Sequence, residues 1–173
     1  MPATFQSFLK QMCIRVNTQL GPSHAEAVYQ KALHYELNCH GIHTELERHI
    51  SVCYTDSQGN SHCISSERID IYVHKDENSP FTDLCNSDII LELKATSKIP
   101  NCIEEYQLKK YLKESTKQGS MISYGVIINF PQPSAHNINE NIDFKVIYNG
   151  DGGDPHNPPV SGQSGKDPHN PPV

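Results

Sequence analysis

Two stretches of the chain decide its fold: Arg68-Ile69-Asp70-Ile71-Tyr72-Val73 and, after a gap, Ile89-Ile90-Leu91-Glu92-Leu93-Lys94-Ala95. Each is an apolar run that carries charges at alternate positions, a pattern that predicts a β-strand. Because successive side chains point to opposite faces of a strand, Glu92 and Lys94 share one face, and the leucines beside Glu92 share the other. Asp70 likewise points away from the isoleucines on either side of it.

These charges allow two interpretations. An Asp, a Glu and a Lys inside apolar strands cost free energy unless they are paired or hold a metal. Phosphodiester hydrolysis needs this set, because two carboxylates can hold Mg²⁺ while a lysine orients or activates the attacking water. Alternatively, the charges mark a solvent-exposed face, and Glu92 and Lys94 form a surface pair of little energetic value. The two strands alone do not decide between these interpretations.

Length and composition indicate one globular domain with polar extensions. The chain has 173 residues, of which 36% are apolar and 20% charged, enough to bury a sizeable core. No apolar run approaches the roughly 18 residues of a membrane span. The sequence shows neither a secretory signal pattern nor an Asn-x-Ser/Thr acceptor. We therefore expect an intracellular protein, in the cytoplasm or nucleus, that does not enter the membrane.

The six cysteines include no Cys-x-x-Cys pair, so in a reducing compartment we expect them to act as small apolar side chains. A zinc site is the alternative, although the spacings match no common structural zinc pattern. Its candidate ligands are Cys39, His40, His43, Cys53, His62 and Cys63.

Positive charge is concentrated just after the second strand. The formal net charge is −6, which argues against unspecific attraction to nucleic acid. Residues 94–118 nevertheless hold six lysines and three glutamates. A phosphate backbone would favour positive charge at this place. For the outermost lysines, a solvated helix face is the alternative.

The rest of the pattern predicts helices and strands in the order α-α-β-β-β-α-β-β. Helical spacing of apolar residues predicts helices over 4–20, 24–39 and 102–117, with Ser23 as the N-cap of the second and Glu26 three residues later. Strands are predicted over 44–54, 67–74, 88–95, 124–130 and 144–148, and a polar loop over 75–87. The helix between the third and fourth strands implies a crossover that makes them parallel. The fold class is therefore α/β, a mixed sheet flanked by helices.

Residues 150–173 differ from the rest in composition. The segment Asp154-Pro155-His156-Asn157-Pro158-Pro159-Val160 recurs identically at 167–173. A Pro-, Gly- and Asn-rich sequence cannot build a core, so we divide the chain into a domain at 1–149 and a disordered tail. A further hypothesis is that the protein is an interaction protein and that this repeated Pro-rich tail recruits its partner.

Two helices carry polar residues next to their apolar stripes. Glu26 shares a face of the second helix with Tyr29, three residues later. Gln107 and Tyr111, four residues apart, share a face of the third helix. Each is either part of a site or a residue at the border of the core.

Several pieces of the chain, in order, resemble the GxxExxY proteins of the PD-(D/E)XK nuclease superfamily. The resemblance covers about residues 20–130. The pieces are Glu26-Ala27-Val28-Tyr29, Tyr35-Glu36-Leu37 with Gly41, Arg68-Ile69-Asp70-Ile71, Glu92-Leu93-Lys94-Ala95, Gln107-Leu108-Lys109-Lys110-Tyr111 and Ile128-Asn129-Phe130.

The resemblance implies a restriction-endonuclease-like α-β-β-β-α-β core, with helix 4–20 as an N-terminal addition. It implies Asp70 and Glu92 as metal ligands, with the backbone carbonyl of Leu93 as a third. Lys94 would position or activate the water and stabilise developing charge. Glu26 would be an auxiliary acid that holds the metal through water or binds a second ion. Gln107 and Tyr111 would orient the lysine or contact the substrate.

The implied activity is a Mg²⁺-dependent nuclease, with Mn²⁺ as a substitute and DNA favoured over RNA. A homodimer is a further hypothesis. The alternative is a catalytically silent nucleic-acid-binding or regulatory module on the same fold. The chain departs from the family in three places: Ser23 stands where the first motif has glycine, Ile69 stands at the proline of the superfamily name, and an insertion over 75–87 lengthens the approach to the third strand.

Overall fold

The structure, a computed structural model, describes residues 4–98, 101–133 and 141–150. Its elements follow the predicted order α-α-β-β-β-α-β-β. They are α1 (Phe5–Leu20), α2 (Glu26–Cys39), β1 (Thr44–Thr55), β2 (Ser61–Val73), β3 (Asp88–Lys94), α3 (Cys102–Lys117), β4 (Ile122–Asn129) and β5 (Asp143–Tyr148).

The five strands form one mixed sheet in the order β1-β2-β3-β4-β5. Neighbouring strands are antiparallel except β3 and β4, which are parallel. The parallel pair is joined through α3, because strands that run the same way need a crossover connection. The prediction of an α/β fold with a mixed sheet, and of the parallel pair within it, is confirmed.

Helices cover both faces of the sheet. Apolar residues of α1 and α2 pack with Leu91 and Leu93 on one face, and those of α3 pack with Ile90 on the other. Alternation along β3 therefore turns Glu92 toward the α3 side. Helix α3 lies very close to β4, because a Cβ atom added at Gly125 would lie 2.6 Å from Leu108 Cδ1.

Two predictions about the polar segments are wrong. Strand β2 begins at Ser61, not at residue 67, and pairs with β1 along a long hairpin. The loop over 75–87 is not uniformly polar, because Phe81 and Leu84 are buried in the core. It is also held by Asp83, whose carboxylate accepts hydrogen bonds from the Phe5 backbone N–H and the Tyr124 hydroxyl.

The turn that precedes α2 also differs from the prediction. Ala25, not Ser23, is the N-cap, and no side chain caps the helix. Ser23 instead has a φ of 74°, in the left-handed region that glycine adopts without steric cost. Its backbone N–H donates to Gln132 Oε1 at 2.7 Å. The backbone thus has a glycine-like conformation at the place where the family motif has glycine.

The cysteines only partly match their prediction. All six are free thiols, but Cys13 is the one that is fully buried in the core, and Cys39, Cys63 and Cys102 are exposed. Within the described residues, no helix has the length and apolarity that a membrane crossing requires. The repeated tail segment lies in 151–173, outside the described residues, so its disorder stays a prediction.

Replacing Ser23 by glycine should stabilise the protein by about 0.5–1 kcal/mol, because glycine removes the steric cost of the positive φ. Chemical denaturation measures the difference. Ser57→Gly is the matched control, since Ser57 is an exposed turn residue that lacks a positive φ. Equal changes in the two variants would contradict the backbone argument.

Candidate active site

The central feature of the candidate site is an interruption between β2 and β3. These strands pair only through Ile71–Leu91, Tyr72–Ile90 and Val73–Ile89. Continued by one residue, the register would place Asp70 directly opposite Glu92. Like charges in such a cross-strand pair are destabilising, and the ladder stops where this pair would form.

Asp70 is held in the gap by hydrogen bonds to both its side chain and its backbone. Its Oδ2 accepts from the Leu93 backbone N–H at 2.7 Å, so the carboxylate replaces a strand carbonyl as the partner of that N–H. Its own carbonyl accepts from Gln30 Nε2 at 2.7 Å. The same Gln30 nitrogen donates to Glu47 Oε1 at 2.9 Å. Helix α2 and strand β3 together fix the position of Asp70.

Glu92 is the most deeply buried acid of the site. It is 1% exposed, so the interpretation of this face as solvent-exposed is wrong. Its Oε1 accepts from Lys94 Nζ at 2.6 Å. Its Oε2 is one of two buried side-chain oxygens, within the described residues, that have no hydrogen-bond partner; Glu114 Oε2 is the other. A buried carboxylate oxygen without a partner has a high desolvation cost, which a cation would remove.

The carboxyl groups of the site all have raised pKa values. Burial, reinforced by the nearby Asp70 charge, raises the pKa of Glu92 to about 7 despite Lys94. Burial also raises the pKa of Asp70, although the hydrogen bond from the Leu93 N–H and the charge of Lys94 lower it in part. For Lys94, burial lowers the pKa, but Glu92 and the other acids outweigh it and the net shift is upward. The Lys94 side chain is therefore protonated and positively charged at neutral pH.

Glu26 joins this cluster from the start of α2. Burial raises the pKa of its carboxyl group, and the Lys94 charge and an Ala95 backbone N–H oppose the increase. The Asp70 charge raises it further. The structure thus brings Glu26, Asp70, Glu92 and Lys94 within electrostatic reach of one another, although they come from three elements.

Gln107 and Tyr111 border the cluster from α3. Gln107 Nε2 donates to the Tyr111 hydroxyl at 2.8 Å, so the two share a face as expected. Burial raises the pKa of Tyr111, opposed by Gln107 and reinforced by the charges of Glu92 and Asp70. Tyr111 therefore lies within electrostatic reach of the two acids that the resemblance assigns to metal binding.

The sequence reasoning assigned no role to two supporting residues, Gln30 and Asn129. Gln30 is 5% exposed and holds Asp70, as described above. Asn129 is 1% exposed, and its side chain accepts from the Thr96 backbone N–H and donates to the carbonyls of Thr96 and Lys98. It therefore fixes the chain that leaves Lys94. Gln30 could have been found from its position four residues after Glu26, on the same helix face.

The residues fit a divalent cation. The two neighbouring strands supply carboxylate oxygens, the hard ligands that Mg²⁺ prefers, and one of these oxygens is buried without a partner. Within the described parts of the chain, no group of three or more His, Cys, Asp or Glu side chains is arranged to hold a metal. The zinc hypothesis thus has no support there. A site built on Asp70 and Glu92 would need the Leu93 carbonyl and water as further ligands.

Comparison with known proteins confirms the superfamily part of the resemblance. A sequence model of the PD-(D/E)XK nuclease superfamily matches residues 4–142, most of the chain. No curated protein matches the chain significantly. A solved structure described as "Crystal structure of SSO0001" aligns with a TM-score of 0.42 and 13% identity, over 86% of this chain and 80% of that one. That likeness is too low to carry an argument.

The raised pKa of Glu92 predicts a stability that depends on pH. Between its ordinary value of 4.5 and about 7, the folded protein binds a proton that the unfolded chain releases. In chelator, the free energy of unfolding should therefore fall by roughly 3 kcal/mol as the pH rises through this window. Denaturation at a series of pH values measures it.

Glu92→Gln should make this pH dependence clearly smaller, because the glutamine side chain does not titrate; the raised pKa values of Asp70 and Glu26 account for the part that remains. Glu77→Gln, a change at an exposed acid, should keep the wild-type profile. Identical profiles for wild type and Glu92→Gln would show that Glu92 does not titrate in this range.

Proposed function

The chain belongs to the PD-(D/E)XK nuclease superfamily, whose sequence model spans residues 4–142, and we propose that it is a metal-dependent nuclease that hydrolyses phosphodiester bonds. The observation that carries the proposal is the buried Glu92 carboxylate, with one oxygen unpartnered, beside the gap that Asp70 occupies. The Glu114–Lys117 ion pair also leaves one buried oxygen without a partner, so the support lies in the neighbours of Glu92: the charges of Asp70, Lys94 and Glu26 all act on its carboxyl group. DNA is the proposed substrate by analogy with the superfamily.

Mg²⁺ is the proposed cofactor, with Mn²⁺ as a substitute. Asp70, Glu92 and the Leu93 carbonyl are the proposed ligands, and Glu26 is proposed to act through water or at a second ion. If all are ionised, the three acids and Lys94 leave two net negative charges, which one divalent ion neutralises. Bound there, the ion would supply a polarised water nucleophile and neutralise charge on the scissile phosphate.

Lys94 is proposed to position the attacking water and to stabilise charge that develops on the phosphate. Its raised pKa supports these roles over that of a general base, because a base must first lose its proton. Its contact with Glu92 keeps the ammonium group beside the proposed ligands. Gln107 and Tyr111 are proposed to support this side of the site and to contact the substrate.

We place the chain in the GxxExxY group of this superfamily. The support is the order of its motifs and the positive φ of Ser23 at the place of the motif glycine. A homodimer, a partner for residues 150–173 and an intracellular location stay predictions.

Asp70→Asn should lower Mg²⁺-dependent cleavage at least about a hundredfold, because it removes a charged ligand and keeps an oxygen that can accept from Leu93. Lys94→Ala should have an effect of similar size through loss of charge stabilisation. The assay incubates linear and circular DNA and RNA with Mg²⁺, Mn²⁺ or chelator. Glu77→Gln is the control and should cleave like the wild type.

Cleavage that survives both Asp70→Asn and chelator would exclude the proposed mechanism. Tight binding of nucleic acid without any metal-dependent cleavage would favour the alternative, a catalytically silent module on the same fold.

A further inference from the structure

Helix α3 has an unusual outer face. Ile103 and Tyr106, three residues apart, are 69% and 71% exposed. Lys109 and Lys113 continue the same side of the helix at spacings of three and four residues. We call these four residues the α3 outer face. Two large, strongly exposed apolar side chains next to lysines are typical of a binding surface.

The acids of α3 are all engaged elsewhere. Glu104 accepts the Asn101 backbone N–H in a capping box, Glu105 pairs with Lys145, and Glu114 pairs with Lys117.

The lysines of the outer face differ from these acids in their ion pairing. Lys110, beside this face, pairs with Glu67. Lys109 and Lys113, by contrast, pair with no carboxylate within the described residues, and Lys109 Nζ lies 5.9 Å from the centre of the Tyr106 ring. The outer face is therefore net positive around an aromatic ring.

This face is continuous with the candidate active site. Ile103 lies one turn before Gln107, and Lys110 lies between the outer face and Tyr111 on the helix surface. Gln107 donates a hydrogen bond to Tyr111, and Tyr111 lies within electrostatic reach of Glu92 and Asp70. A polymer held on the outer face can thus extend along α3 to the two acids.

We propose that the α3 outer face binds single-stranded nucleic acid, with a base stacked on Tyr106 and flanking phosphates on Lys109 and Lys113. The inference rests on the proposed nuclease function and adds a substrate class to it. Every base has an aromatic face, but a duplex hides these faces inside its stack, so an exposed tyrosine ring favours unpaired bases. The two lysines supply the charge that the phosphates require.

The first test measures binding by fluorescence anisotropy in chelator, with a labelled oligo-dT strand and a hairpin duplex of equal length. The single strand should bind more tightly than the duplex. Tyr106→Ala should raise the Kd for the single strand at least about fivefold through loss of stacking. Tyr106→Phe should keep wild-type affinity, because it keeps the ring. Tyr35→Ala removes an equally exposed tyrosine from α2 and should change nothing.

The second test measures the salt dependence of the same binding. Lys109→Ala and Lys113→Ala should each lower the slope of log Kd against log salt by about 0.7, the value expected for one phosphate contact on a single strand. Lys31→Ala, at an exposed lysine of α2, should leave the slope unchanged.

Two results would overturn this inference: equal Kd values for Tyr106→Ala and Tyr35→Ala, or preferential binding of the duplex. The test is separable from that of the nuclease. Tyr106-dependent binding without metal-dependent cleavage would uphold the binding face and refute the enzyme. Metal-dependent cleavage that is unchanged by substitution of Tyr106 and both lysines would uphold the enzyme and refute the binding face.

Discussion

The site depends on the place where the ladder between β2 and β3 ends. Past Ile71 and Leu91 the next two residues are acids, and two carboxylates cannot face each other at cross-strand distance without repulsion. Asp70 instead accepts the Leu93 backbone N–H. The strand therefore keeps its hydrogen bond while the sheet opens. The ladder thus ends at the place where the two acids of the candidate site meet.

The same gap explains the unusual electrostatics. Packing from α1 and α2 on one face and α3 on the other removes water from around Glu92, which raises its pKa. Lys94 satisfies one of its oxygens and leaves the other without a partner. Such an arrangement costs stability in the metal-free protein. A buried acid with a strongly raised pKa that lies among other charged groups is typical of a functional site.

Supporting residues reach the site from every layer. Gln30 holds the backbone of Asp70 from α2, and Asn129 ties β4 to the chain that follows Lys94. Gln107 and Tyr111 close the α3 side. The site is thus built on helices and strands, which favours precise placement of its side chains. The α3 outer face extends the same surface toward solvent.

The sequence by itself determined the order of elements, the sides of β3 on which Glu92 and Leu93 lie, and the pairing of Gln107 with Tyr111, because period and alternation are local properties of the chain. It did not determine the conformation of Ser23, the burial of Phe81 and Leu84, or the role of Gln30. Those depend on contacts between segments far apart in sequence. Only the tertiary structure decided that Glu92 is buried, because exposure of a strand face depends on which helix packs against it.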